Sequence, residues 1–367
     1  MKIRFKPLHR VILICISIGV PISFLLIDGP YLFSQGFSVL RLRSGMKNIS
    51  DLLQREELDA ETRDFFLLSQ DIRRFAIEEL GLQDTPNYTS YVATDKNYLV
   101  DVVSAVRSDS LERFERSYPL VGKVFYRGFF KKRQAERFAL RLEKKGYDVI
   151  TRRVSAYSSL GMLTDPLYSY MTHYDTYRLA ELIIHEQVHS TLWIPGYNEF
   201  NEEIATFIGR EGALEYVRRR YGSDAPLIPE IQKERKDYIS LLNFFLDLYG
   251  QLETRYAELP EKTDRLAVKS EILEGSRRRF SSSYEEMFLT ERYSYLKEME
   301  WNHALIDLYA QYGRDLSSFY RLFEYLGGCL TDTTKLLLTT FKDVQSSPHQ
   351  ALYQLHEGFE ISLQNLN

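Results

Sequence analysis

Leu179-Ala-Glu-Leu-Ile-Ile-His185-Glu186-Gln-Val-His189, then Trp193-Ile-Pro-Gly-Tyr-Asn198, then Phe200-Asn201-Glu202-Glu203-Ile204-Ala205 is the stretch on which the architecture turns. The first piece is an apolar helical run that ends in H-E-x-x-H. On a helix, residues i and i+4 lie on one face, so both imidazoles can reach a single ion about 2.0–2.1 Å away. Glu186, one step after the first histidine, is rotated by roughly 100° and falls beside that ion, where it can take a proton from a water molecule.

Two histidines leave a tetrahedral shell half filled, so a further protein ligand is expected. Pro195 and Gly196 break the helix, and a second helix opens thirteen residues beyond His189 (202 − 189). Glu199, Glu202 and Glu203 compete for the role. Helical projection puts Phe200, Ile204, Phe207 and Ile208 on an apolar face. Glu202, Ala205 and Gly209 share another face with almost no side-chain bulk, which lets the two helices approach closely. Glu202 is therefore the favoured ligand, and Glu203, between the faces, the second choice. The bland alternative is that such glutamates merely complement a helix dipole.

The remainder of the chain narrows the classes of function. Its 367 residues, 44% hydrophobic and 27% charged, are enough for one large or two ordinary globular domains. A net charge of −4 supplies no broad basic field, which excludes nucleic acid as a partner on electrostatic grounds. With only Cys15 and Cys329 present, neither a disulfide framework nor a cysteine-based metal site is available. Because there are 26 tyrosines, a tyrosine by itself marks no site.

Residues 1–10 form a basic cluster, with Lys2, Arg4, Lys6 and Arg10, and residues 11–27 (Val11 to Ile27) carry no charge. The pattern predicts a transmembrane anchor or signal segment with a cytoplasmic N-terminus and an exported remainder, hence a membrane-anchored protein of the bacterial periplasm or cell envelope. No A-x-A-like cleavage site follows, which favours an uncleaved anchor. Cys15 follows Ile14 in mid-run, which is no lipidation signal.

After the anchor the expected fold class is α+β. Residues 28–175 are assigned to a helical arm, from about Ser44 to Leu82, and an α/β subdomain. The latter has strands over 98–104 and 122–128, an amphipathic helix from Phe130 to Gly146 and a strand from Tyr147 to Val154. Residues 176–367 are assigned to a helical subdomain carrying the ligands, with long charged helices at 231–258 and 262–279 expected to form a solvated hairpin.

The chain resembles predicted bacterial aminopeptidases whose hallmark is H-E-x-x-H followed by F-N-E-x-x-A-T-F-x-G, here His185 to His189 and Phe200-Asn201-Glu202-Glu203-Ile204-Ala205-Thr206-Phe207-Ile208-Gly209. The likeness extends through Gly122 to Gly128, Ala156 to Gly161, Asp165-Pro166, Trp301-Asn302 and Tyr309. It implies a gluzincin-type zinc metallopeptidase with a zincin-like core. In that reading His185, His189 and Glu202 bind Zn²⁺, Glu186 is the general base, and a strand edge near residues 156–161 receives a peptide substrate. Tyr309 and Tyr157, in segments that share the likeness, are candidate oxyanion donors, and Asn302 a candidate to orient a ligand. The G-x-M-E-N signature that captures a free amine in many such aminopeptidases is missing, since Gly161-Met162 continues as Leu-Thr-Asp. Endopeptidase activity, and a non-catalytic envelope protein with a structural metal site, remain the alternatives. Oligomeric state is not legible.

Overall fold

The computed structural model describes residues 28–55, 57–118, 122–155, 164–260, 264–312, 316–344 and 347–364. The expected anchor at 11–27, Tyr157 and the strand edge at 156–161 lie outside them. Among the described residues no helix is long and apolar enough to cross a membrane.

The chain is a helix-rich α+β structure with small sheets. Helix α1 (Gly29–Arg43) and helix α2 (Ala60–Glu78) come first. Strand β1 (Val100–Arg107), strand β2 (Tyr126–Phe129), helix α3 (Lys132–Glu143) and strand β3 (Tyr147–Val154) make the main sheet layer. Then follow α4 (Thr176–Thr191), α5 (Asn198–Tyr221), α6 (Leu227–Glu258), α7 (Arg265–Ser282), α8 (His303–Tyr312), α9 (Ser317–Tyr325), α10 (Leu330–Phe341) and α11 (Pro348–Gln364).

Strand β1 lies between β2 and β3 and is antiparallel to both, so β2 and β3 run parallel and α3 is the crossover between them. The crossover helix buries Ala135, Phe138 and Leu142 against Val103, Ala105 and Phe129 of the sheet. A second small sheet joins Lys47–Asn48, Ser90–Val92 and Leu167–Tyr168, which brings the segment before α4 to the segment after α2.

Four elements differ from the sequence reading. Helix α1 lies outside the sequence reading, because its apolar residues, with Tyr31 and Leu42 on the side opposite Phe33 and Phe37, do not mark a single face. The expected arm from 44 to 82 is broken, because Asp59 caps a fresh helix by accepting from Thr62 N at 2.8 Å. The strand expected over 122–128 is two strands, Gly122–Val124 and β2, separated by a bend at Phe125. The 231–258 and 262–279 pair is no solvated hairpin. Leu241, Phe245, Leu248 and Leu252 repeat at four, three and four residues along α6, and with Phe280 of α7, Trp301 and Ile306 they form a core of their own.

The larger core surrounds α4 and α5. Leu179, Ile183 and Ile184 of α4 and Phe200, Ile204, Phe207 and Ile208 of α5 are sealed among α2 and α9 to α10, through Phe66, Ile72, Phe319, Leu337 and Phe341. Burial on this scale, about 1.5–3 kcal/mol per large side chain, holds the α4–α5 hairpin rigid.

Candidate metal centre

Helix α4 starts at Asp175, whose carboxylate accepts from Arg178 N at 2.8 Å, and ends at Leu192. Between it and α5 the chain turns at Gly196, with φ +85°, a conformation that favours glycine. The turn is fastened by Asn201, which is fully buried. Its Oδ1 accepts from Ile194 N at 2.9 Å, and its Nδ2 donates to Ile194 O at 2.8 Å. Asn201 is the residue before Glu202, so the clamp sets where that glutamate begins.

The two helices touch closely because α5 offers no bulk at the crossing. A Cβ on Gly209 would lie 3.1 Å from His185 Cβ and 3.2 Å from Glu181 O, and one on Gly212 would lie 3.0 Å from Ile184 Cδ1. Ala205, on the same side, is fully buried.

This packing converges His185, His189 and Glu202. One ligand atom from each lies within 4.8 Å of the others. His185 Nε2 and His189 Nε2 are 3.1 Å apart, Glu202 Oε1 is 3.2 Å from His189 Nε2, and Glu202 Oε2 is 3.7 Å from His185 Nε2. A tetrahedral ion at about 2.0–2.1 Å from each donor spaces its ligands about 3.3 Å apart, so this donor set fits one.

The other candidates are placed elsewhere. Glu203 accepts from His349 Nε2 of α11 at 2.9 Å, and Glu199 is exposed. Asn302 caps α8 by accepting from Leu305 N and donates to Val149 O at 3.1 Å, so its amide serves the α8–β3 junction. Tyr309 stacks on Phe245 with ring centroids 4.7 Å apart, and its hydroxyl is 3.0 Å from Tyr295 OH. These contacts place it in the second core, where burial pushes its hydroxyl pKa well up, reinforced by Tyr295.

Glu186 lies one step round α4 from His185. A second layer behind it is invisible in residue spacing. Ser190 Oγ donates to Glu186 O at 3.1 Å and accepts from Asn87 Nδ2 at 2.9 Å, while Asn87 Oδ1 accepts from Asp165 N at 3.0 Å. Two further bonds, Gln83 N to Thr191 Oγ1 at 3.0 Å and Gln187 Nε2 to Gln83 O at 3.2 Å, clamp the same end of α4. Tyr88, buried and left-handed at φ +58°, donates its N–H to Asp165 O at 2.7 Å. Burial, with the charges of Glu186 and Asp165 beside it, holds the Tyr88 phenol neutral. Asp165 is itself pushed up to about 6 by burial, with Arg43 pulling the other way.

No curated protein and no solved structure matches the chain. A family model does: residues 30–350, which include the whole α4–α5 hairpin, match the family described as "Putative aminopeptidase". That match covers most of the chain, and the protein belongs to this family, which supports a peptidase-like function.

Proposed function

We propose that the protein is a zinc-dependent metallopeptidase of the gluzincin type, acting as an aminopeptidase on peptide substrates. The observation that carries this reading is the convergence of His185, His189 and Glu202 within 4.8 Å, with Glu186 one residue from the first ligand. The imidazole and carboxylate donors suit Zn²⁺. When bound, such an ion supplies Lewis acidity to a water molecule and to the scissile carbonyl.

The chain's own residues do the remainder. Glu186 accepts the proton of the attacking water and delivers it to the departing amine, while the Ser190–Asn87 pair holds its stretch of α4 in register. Tyr157 stands as the candidate oxyanion donor, since Tyr309 is packed against Phe245 and bonded to Tyr295. The basic and uncharged segments at 1–10 and 11–27 are in keeping with an exported, membrane-anchored domain.

The deciding measurement compares cleavage of one peptide series with free and with acetylated N-termini, with and without chelator. Chelator-sensitive cleavage that requires the free amine supports the aminopeptidase. Cleavage indifferent to acetylation makes it an endopeptidase, and zinc binding without turnover makes the centre structural.

A further inference from the structure

Helix α1 exposes an apolar row that its surroundings do not explain. Leu32, Phe33, Phe37 and Leu40 are 44%, 72%, 57% and 68% exposed, and they account for four of the fifteen large exposed apolar or aromatic side chains among the described residues. Phe33, Phe37 and Leu40 are spaced four and three apart, so they form one stripe. The opposite side of α1 faces the domain. Tyr31 OH donates to Gly128 O at 2.9 Å, Gln134 Nε2 donates to Ser34 Oγ at 3.0 Å, and Phe130 N donates to Gln35 Oε1 at 3.1 Å.

The place where α1 begins is equally fixed. Asp28 is its left-handed N-cap, φ +61°, and its carboxylate is held by Arg116 at 2.7 Å and Arg127 at 3.6 Å. The uncharged run from Val11 ends at Ile27, one residue earlier. With about 1.5 Å of rise per residue, Phe33, Phe37 and Leu40 lie within about 20 Å of that point. Beside α1, bonded to it through Gln134, α3 is strongly basic: residues 131–145 hold seven Lys or Arg against two Glu in a chain whose net charge is −4. Arg137 and Arg141 lie three and seven residues after Gln134, on its side of the helix, and are exposed.

We propose that α1 and α3 form a surface that seats the domain on a bilayer containing anionic phospholipid, with Phe33, Phe37 and Leu40 entering the headgroup layer and the basic face of α3 meeting the phosphates. An apolar row flanked by basic side chains is the pattern of an interfacial helix. The inference rests on the reading of residues 11–27 as an anchor and is independent of the metal reading. Because Asp28 is tied to the body by two guanidinium groups, an anchor that ends at Ile27 would bring the bilayer up to the start of α1.

The test uses the full chain with Cys15→Ser and Cys329→Ser, carrying an environment-sensitive fluorophore on Phe37→Cys or, as a control, on Leu289→Cys, which is 59% exposed and lies in the second core's region. Each is reconstituted into vesicles of phosphatidylcholine with or without phosphatidylglycerol. The expected result is a blue shift with several-fold gain in intensity at position 37, larger in the anionic vesicles, and none at 289. A chain that floats with vesicles while both labels stay aqueous sinks the surface and leaves the anchor standing. A chain that does not float overturns both. A shift at 37 that persists without vesicles and fades on dilution assigns the row to a second copy and overturns the proposal.

Discussion

Asn201 grips Ile194 by both ends of its amide, donating at 2.8 Å and accepting at 2.9 Å across seven residues, and this one side chain closes the turn between the helices that carry the histidines and Glu202. Asn201→Ala leaves the Ile194 N–H without its partner, at about 1–3 kcal/mol, while the Ile194 carbonyl keeps the bond from Tyr197 N at 3.2 Å, and it frees the start of α5. Zinc affinity is expected to fall 10–100-fold, as for a supporting residue behind a ligand. Isothermal titration with zinc and a thermal melt in chelator give the two effects separately. Unchanged affinity would show that the clamp serves stability alone.

Gly209→Ala sets a methyl group 3.1 Å from His185 Cβ and 3.2 Å from Glu181 O, both on the packed face of α4. Overpacking of this kind costs about 1–3 kcal/mol and pushes α5 outward, carrying Glu202 from the histidines. Gly250→Ala is the matched control, since nothing lies within 4 Å of its added Cβ on α6, and it should gain about 0.5–1 kcal/mol. Equal behaviour of the two variants in denaturant melts would contradict the close crossing.

Glu186→Gln keeps the shape of the side chain and removes the base. Hydrolysis should drop by about 10²–10⁴-fold with zinc stoichiometry unchanged by metal analysis. Retained turnover would remove Glu186 from the role.

Asp165 gives a pH signature. Its carboxyl is raised from 3.8 to about 6 by burial, so the folded chain holds this proton more tightly than the unfolded one. The stability it contributes is complete in acid below the unfolded value and is lost as pH rises through about 6. Asp165→Asn should therefore flatten the fall in stability over that window and be the more stable protein at neutral pH. Urea unfolding with chelator present throughout keeps metal linkage out of the comparison. Parallel curves for the two proteins would show that the carboxyl is solvated in the fold.

The hairpin's residues were legible because periodicity records them: two histidines four apart, a proline-glycine break, and small residues on the Glu202 side of the next helix. The α1 helix and the split at Phe125 were not, since one spreads its apolar residues over more than one face and the other depends on a bend without a glycine or proline to mark it. The layer behind Glu186 is hidden for another reason. Asn87 and Ser190 are 103 residues apart, and no local pattern relates them. Tyr309, singled out by its segment's likeness, is packed against Phe245 and bonded to Tyr295, contacts that only the tertiary structure supplies.

His185, Glu186, His189 and Glu202 sit on one hairpin, while the groups bonded to the Glu186 end of α4 arrive from Gln83 and Asn87. The candidate donors and the bonds that hold their helix are thus written in separate passages of the chain. Substitutions at Gln83 or Asn87 therefore act on the end of α4 that carries Glu186 and His189 from more than a hundred residues away in sequence.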